Sequence, residues 1–321
     1  MNKTSREQPS LAIIIPVYNE DKLLNETINS LHNLLYQLIK GDVIKKNSFL
    51  YFVDDGSVDN SWELIIKAHK KNSNIKGLKL SRNFGHQNAL LAGLLNCKEK
   101  ADCFITIDAD LQQDIKTIPK FIDKYKQGAD IVYGVRQNRS SDSFLKKYTA
   151  LFFYHFMHSM GTRVIKNHAD YRLISQKALL ALAEFREVNL FLRGLVTELG
   201  FRIATVSFVV RPRKTGQTKY SWNKMLSFSW NGITSFSTTP LRLVTIIGFL
   251  VFLSSLAMTT YIVYQTLIIG KTVTGWPSIV LPIYVLGGLQ IMSIGLIGEY
   301  LAKVYQEVKA RPRFIIETEI F

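Results

Sequence analysis

The sequence is poor in everything that would crosslink or interrupt it. Its 321 residues include only two cysteines, Cys97 and Cys103, and eight prolines. No second Cys/His pair stands at metal-ligand spacing, and two cysteines cannot build a disulfide framework. This excludes a zinc module and a disulfide scaffold, and leaves unpaired thiols in a reduced compartment. Met1 to Ser10 is polar, so no secretory signal is visible. Neither internal repeats nor low-complexity tracts occur. Neither GxGxxG nor GxxxxGK[ST] is present, which argues against a dinucleotide-binding fold and a P-loop nucleotidase. Acidic residues are missing from one long region altogether: none occurs between Leu199 and Gly298.

What remains is strongly basic. The formal net charge is +15, a balance that suits nucleic acid, anionic lipid or a phosphorylated substrate. Arg202, Arg211, Arg213, Lys214, Lys219 and Lys224 fall in the region without carboxylates. They stand next to two uncharged runs, Leu243–Gly270 and Thr272–Gly298, separated by Lys271. That placement fits a lipid phosphate better than nucleic acid. Each run exceeds the roughly 20 apolar residues that cross a bilayer. The sequence therefore predicts a two-helix transmembrane hairpin over 241–302, with spans near 243–267 and 278–301. Arg242 before the hairpin, and Lys303, Lys309, Arg311 and Arg313 after it, place both termini on the cytoplasmic side. The expected location is the inner membrane, multi-pass. Aromatic-rich stretches at 144–160 and 224–240 read as interfacial helices, and 303–321 as a cytoplasmic tail.

Residues 1–223 read as a separate α/β domain. Strands are expected at Leu11–Ile15, Phe49–Val53, Leu78–Leu80, Phe104–Ile107 and Ile131–Tyr133. Helices are expected at Glu20–Leu38, Asn60–Lys70, His86–Asn96 and Ile115–Gln127. Such alternation predicts a largely parallel sheet, with ligands beyond the carboxyl ends of its strands. The polar clusters fall at those ends: Pro16–Glu20, Asp54–Asp59, Ser81–His86 and Asp108–Asp110.

Asp108 and Asp110 directly follow an apolar strand. Two carboxylates one residue apart can converge on Mg²⁺ or Mn²⁺, which favour oxygen ligands and retain substrate phosphates in their shell. Asp54, Asp55 and Asp59 form a second acidic cluster around Gly56. Asp54 and Asp55 suit hydrogen bonds to a base or ribose, while Asp59 equally suits capping of the next helix.

The set Ile15-Pro-Val-Tyr-Asn-Glu20, Val53-Asp-Asp-Gly-Ser-Val-Asp59, Ser81-Arg-Asn-Phe-Gly-His-Gln-Asn88 and Ile107-Asp-Ala-Asp-Leu-Gln112 resembles the inverting glycosyltransferases of the GT-A, Rossmann-like fold. Within them it is similar to the polyprenyl-phosphate glycosyltransferases, of bactoprenol glucosyltransferase and dolichol-phosphate mannose synthase type. The resemblance runs from Leu11 to about Phe314. It implies a nucleotide-sugar donor, UDP-glucose or UDP-N-acetylglucosamine, a polyprenyl phosphate acceptor, membrane lipids around the chain, and a homo-oligomer, a tetramer in such proteins. By position it implies Pro16, Tyr18, Glu20, Asp54 and Asp55 at the nucleotide, Arg82 and His86 near the diphosphate or sugar, and Asp108 and Asp110 at the metal. It further implies Asp170, with Arg172 beside it, as base or acceptor-site carboxylate, and Arg211, Arg213 and Lys219 at the lipid phosphate. One departure stands out. Relatives usually read Gln, Asp or His, Pro, Pro, Glu after the carboxylate pair, and this chain reads Gln112-Gln-Asp-Ile-Lys116.

Two other functions fit less well. A processive polysaccharide synthase usually carries Gln-x-x-Arg-Trp, and no Trp here follows an Arg. A lipid-carrier flippase or scaffold would need a transport path, and two spans are few for one.

Overall fold

The computed structural model describes residues 6–136, 168–187, 192–209 and 276–321, with separate positions between 241 and 264. The chain divides into two compact units. The first comprises Met1–His155, Arg163–Tyr220 and Arg311–Phe321, and the second Phe156–Thr162 and Ser221–Ala310.

The first unit is built on an eight-stranded sheet. Its strands are β1 (Leu11–Val17), β2 (Phe49–Asp54), β3 (Ile75–Leu80), β4 (Cys103–Thr106), β5 (Ile131–Arg136), β6 (His168–Ser175), β7 (Ile203–Phe208) and β8 (Ile316–Ile320). Their spatial order is β7-β5-β6-β4-β1-β2-β3-β8. β1 and β2 are buried along their whole length, as befits parallel strands covered on both faces. Pro16 does not stop β1 as expected; it lies inside the strand, opposite Val53. Residues of one parity face β4, as the Ile107 N–H bond to the Ile14 carbonyl shows, and Val17 faces β2 through Asp55. Pro16 therefore faces β4, whose pairing has already ended at Ile14 opposite Thr106. Its missing N–H costs no ladder bond there.

Helices cover the sheet. α1 (Asp21–Lys40) buries Leu24, Ile28, Leu31, Leu35 and Leu38, one stripe at helical spacing. α2 (Ser61–Lys71) buries Trp62 and Ile65. α3 (His86–Cys97) lies directly on β1 and β2, since a Cβ on Gly93 would stand 2.6 Å from both Ile14 and Val53. α4 (Ile118–Lys126), α5 (Gln176–Ala183) and α6 (Leu192–Glu198) are the further described helices of this unit. This is the α/β core expected of a GT-A fold.

The sheet departs from the expected parallel pattern in one decisive place. β6 runs antiparallel to both β4 and β5. At one edge of the sheet β8 also pairs antiparallel, with β3. Glu319 of β8 accepts hydrogen bonds from the Tyr51 hydroxyl at 3.0 Å, Asn96 at 2.7 Å and Lys100 at 3.0 Å. Burial raises the Glu319 carboxyl, and these partners together more than offset it, so it titrates below the usual range. The last residues thus close the sheet edge, and Ser81 N–H reaches the Ile315 carbonyl at 3.0 Å just before the Ser81–His86 loop.

In the second unit, α7 (Trp276–Lys309) is one helix of 34 residues. Among the described residues no helix is long and apolar enough to cross a membrane. This corrects the expected transmembrane hairpin, and with it the multi-pass inner-membrane location. A charge-free run is necessary for a span but does not make one; an uninterrupted apolar helix does. The first run is described only at separate positions, and the helix holding the second continues into Glu299, Lys303, Glu307 and Lys309. Ile291, Ile294 and Ile297 of α7 are exposed, an apolar face of the kind that associates with another surface. The expected interfacial helices at 144–160 and 224–240 lie outside the described residues.

Candidate functional site

The polar clusters meet at the carboxyl ends of β1, β2 and β4, and the loops are stapled to one another. Asn19 N–H donates to Ser57 Oγ at 3.0 Å, and Val58 N–H to Asn19 Oδ1 at 2.9 Å. Glu20 N–H donates to Ser61 Oγ at 3.1 Å. Asp21 N–H donates to Asp59 at 3.0 Å, so Asp59 holds the start of α1 as well as capping α2 through Ser61. Tyr18 projects from this edge and is exposed, while Pro16 is buried.

Asp54 and Asp55 are both buried. Asp55 accepts from the N–H groups of Phe84 and Gly85 at 2.8 and 2.9 Å, so both its oxygens hold the Ser81–His86 loop. Asp54 Oδ2 accepts from Ser57 N–H at 3.2 Å, and its buried Oδ1 has no hydrogen-bond partner among the described residues. Burial raises both carboxyls above their ordinary range, against the opposing hydrogen bonds. Between the loops Gly56 has φ of 67°, and a Cβ there would lie 2.4 Å from the Arg82 carbonyl carbon. Gly56→Ala therefore combines a left-handed backbone with a backbone clash. It is expected to cost about 2–4 kcal/mol, checked by denaturant unfolding. An unchanged stability would refute this packing role.

Arg82 is exposed, with its guanidinium 4.0 Å above the Phe84 ring. His86 opens α3 and reaches the carboxylates. Its Nε2 lies 3.5 Å from Asp108 Oδ1 and 4.0 Å from Asp170 Oδ2. Asp170 comes to this place through the reversed strand. β4 and β6 pair Thr106 with Arg172, and continuing that antiparallel register by two residues sets Asp170 across from Asp108. Thr106 Oγ1 donates to the Asp170 carbonyl. Arg172, on the same face of β6, is fully buried; its Nη2 donates to Asp170 Oδ1 at 2.5 Å and its Nη1 to the Leu192 carbonyl at 3.4 Å. Leu192 N–H in turn donates to Gln87 Oε1 at 3.0 Å, which ties α6 to the first turn of α3.

The Asp108 carboxyl is raised, first by burial, then by repulsion from Asp170 and Asp110, with His86 and Gln113 acting the other way. Over a third of its side chain remains exposed, so the crowding of carboxylates matters beside a partial desolvation. Among the described residues no group of three or more His, Cys, Asp or Glu is placed to hold a metal ion by itself. Two carboxylates in a crowded acidic site suit a cation shared with a diphosphate, rather than one enclosed by protein.

Arg211, Arg213 and Lys219 lie outside the described residues. The structure also adds residues that motif reading passed over. Thr27 Oγ1 donates to the Ala109 carbonyl at 2.6 Å, and Gln113 bonds both the N–H and the carboxylate of Asp108. Thr27 gave no signal beyond being a hydroxyl on a buried helix face. Gln113 stands out in the sequence only as part of the departure after the carboxylate pair.

Its relatives place the protein among the glycosyltransferases. The glycosyl transferase family 2 pattern matches residues 12–182, and the chain belongs to that family. A Bacillus subtilis relative, the uncharacterized glycosyltransferase YkoT, is 46% identical over 98% of this chain and 94% of its own length. The bactoprenol glucosyl transferase of Shigella phage SfII is 34% identical over 96% of this chain and 97% of its own. Among solved structures, the mannosyltransferase PcManGT from Pyrobaculum calidifontis, in complex with GDP-Man and Mn2+, aligns with 94% of this chain and 89% of its own at 13% identity and a TM-score of 0.46.

Proposed function

We propose that this glycosyltransferase moves a sugar from a nucleotide-sugar, UDP-glucose or UDP-N-acetylglucosamine, to undecaprenyl or another polyprenyl phosphate, with inversion. The observation that carries the reading is the convergence of Asp108, Asp170 and His86 within 4.0 Å at the strand ends. The names of the bactoprenol glucosyl transferase relatives support the acceptor.

Tyr18 and Glu20 stand at the loop edge where a nucleotide would lie beside Pro16, while Asp54 and Asp55 shape the pocket through the loops they hold. Arg82, His86 and the first turn of α3 offer positive charge and N–H groups to the diphosphate. Asp108 and Asp110 would hold Mg²⁺ or Mn²⁺, which when bound neutralises charge developing on the leaving diphosphate. A phosphate monoester is already anionic near neutral pH, its second pKa being about 6, so its attack on the anomeric carbon needs little help from a base. Asp170, fixed by Arg172, then aligns the acceptor rather than removing a proton. Arg211, Arg213 and Lys219 are assigned to grip the lipid phosphate.

Purified protein should transfer label from a UDP-sugar panel to undecaprenyl phosphate, read by mass spectrometry. An α-linked donor should give a β-linked product; a retained α-product would refute single displacement, and absence of transfer from the whole panel would refute the acceptor. Arg211→Ala should raise KM for the lipid phosphate about tenfold, in line with a lost charge-assisted contact, with donor KM unchanged. Equal losses for both substrates would count against the acceptor role.

A further inference from the structure

The carboxylate pair stands on a strained turn, and one side chain outside the pair holds it. Leu111 has φ of 51°, a left-handed conformation that costs a non-glycine residue energy. Within the turn Leu111 N–H points to the Asp108 carbonyl at 3.4 Å, and Gln112 N–H donates to Asp110 Oδ1 at 3.1 Å. The reversal brings Gln113, only 4% exposed, back against Asp108. Gln113 Oε1 accepts from the Asp108 N–H at 2.9 Å, and Gln113 Nε2 donates to Asp108 Oδ2 at 2.5 Å. The Thr27 bond to the Ala109 carbonyl anchors the same turn from α1.

The double contact demands a carboxamide. It joins an acceptor and a donor in one planar group, so it can bond an N–H and a carboxylate of one residue together. A carboxylate at this place would still accept from the N–H but would repel Oδ2. Where the resembled family usually carries Asp or His, this chain carries Gln113.

We propose that Gln113 is a positioning residue for the transfer reaction: it fixes the Asp108 rotamer by engaging Oδ2, so that Asp108 presents Oδ1 to the cation and diphosphate. The inference rests on the reading that Asp108 and Asp110 hold the metal. Hydrogen-bonded partners of metal-binding carboxylates set ligand orientation, and their loss typically weakens metal binding about 10–100-fold.

The test compares wild type, Gln113→Met, Gln113→Glu and Asp110→Ala. Methionine matches the length of glutamine without its hydrogen bonds; glutamate keeps the acceptor for the N–H, removes the donor and adds a charge that repels Oδ2. Mn²⁺ affinity with UDP present is read by electron paramagnetic resonance, beside kcat, donor KM and the melting temperature. Both Gln113 variants should bind Mn²⁺ about tenfold more weakly and lose kcat by a similar factor, with donor KM moving less. Should Gln113→Met fail to fold, Gln113→Glu carries the test. Mn²⁺ affinity and kcat within twofold of wild type in a folded Gln113 variant would overturn the proposal, including when only its melting temperature falls. If Asp110→Ala loses Mn²⁺ while the Gln113 variants retain it, this inference alone fails. If wild type binds no Mn²⁺, or Asp110→Ala still binds it, the metal-site reading fails and takes this inference with it.

Discussion

Asp110→Ala is expected to lower kcat about a thousandfold or more, because a preorganised charge-stabilising contact to the leaving group is worth at least a hundredfold to a thousandfold. Asp110 lies four residues beyond the end of β4 and stays partly exposed, so its removal should leave the melting temperature nearly unchanged. That separates a catalytic loss from a folding loss. The accompanying signature is the metal requirement. Chelation should silence the wild type and added Mg²⁺ or Mn²⁺ should restore it, whereas the variant should respond to neither. Wild-type activity undiminished by chelation would remove the metal assignment from both carboxylates.

The second large effect concerns Arg172. Its side chain is fully buried, and its partner Asp170 is only 12% exposed. Removing one member of a buried ion pair leaves the other charge in a poorly solvated place, at a cost of about 3–5 kcal/mol. Arg172→Met should therefore destabilise the fold by that order, measured by denaturant unfolding. Asp170→Asn in the same chain should recover much of the loss, since the stranded charge is gone. Turnover should stay low in the double variant, because the carboxylate facing Asp108 and His86 is also gone. A double variant no more stable than Arg172→Met would show that the guanidinium acts chiefly through packing and Leu192.

The contrast between these two sites shows how much was legible beforehand. Asp108 and Asp110 could be read directly: an apolar strand, a stop, and two carboxylates one residue apart. Local spacing carries that information because both residues sit on one segment. The helices were legible for a similar reason, as in the stripe from Leu24 to Leu38. β8 was not, since a short strand at the end of a chain has no period long enough to register. Asp55 could be recognised as important, but its work, holding Phe84 and Gly85, depends on a loop some thirty residues away. The uncharged runs misled, because absence of charge is a property of sequence, while a span requires a continuous apolar helix.

The sequence by itself determined the α/β class, the strand-end placement of the polar clusters and the carboxylate pair, all set by short-range periodicity and turn chemistry. Only the tertiary structure decided that β6 runs antiparallel beside β4. That reversal carries Asp170 to Asp108, sets Arg172 beside it and puts both carboxylates within 4.0 Å of His86. Strand direction and register are settled by which edges find hydrogen-bond partners across the whole sheet, and no local pattern in the chain records that outcome.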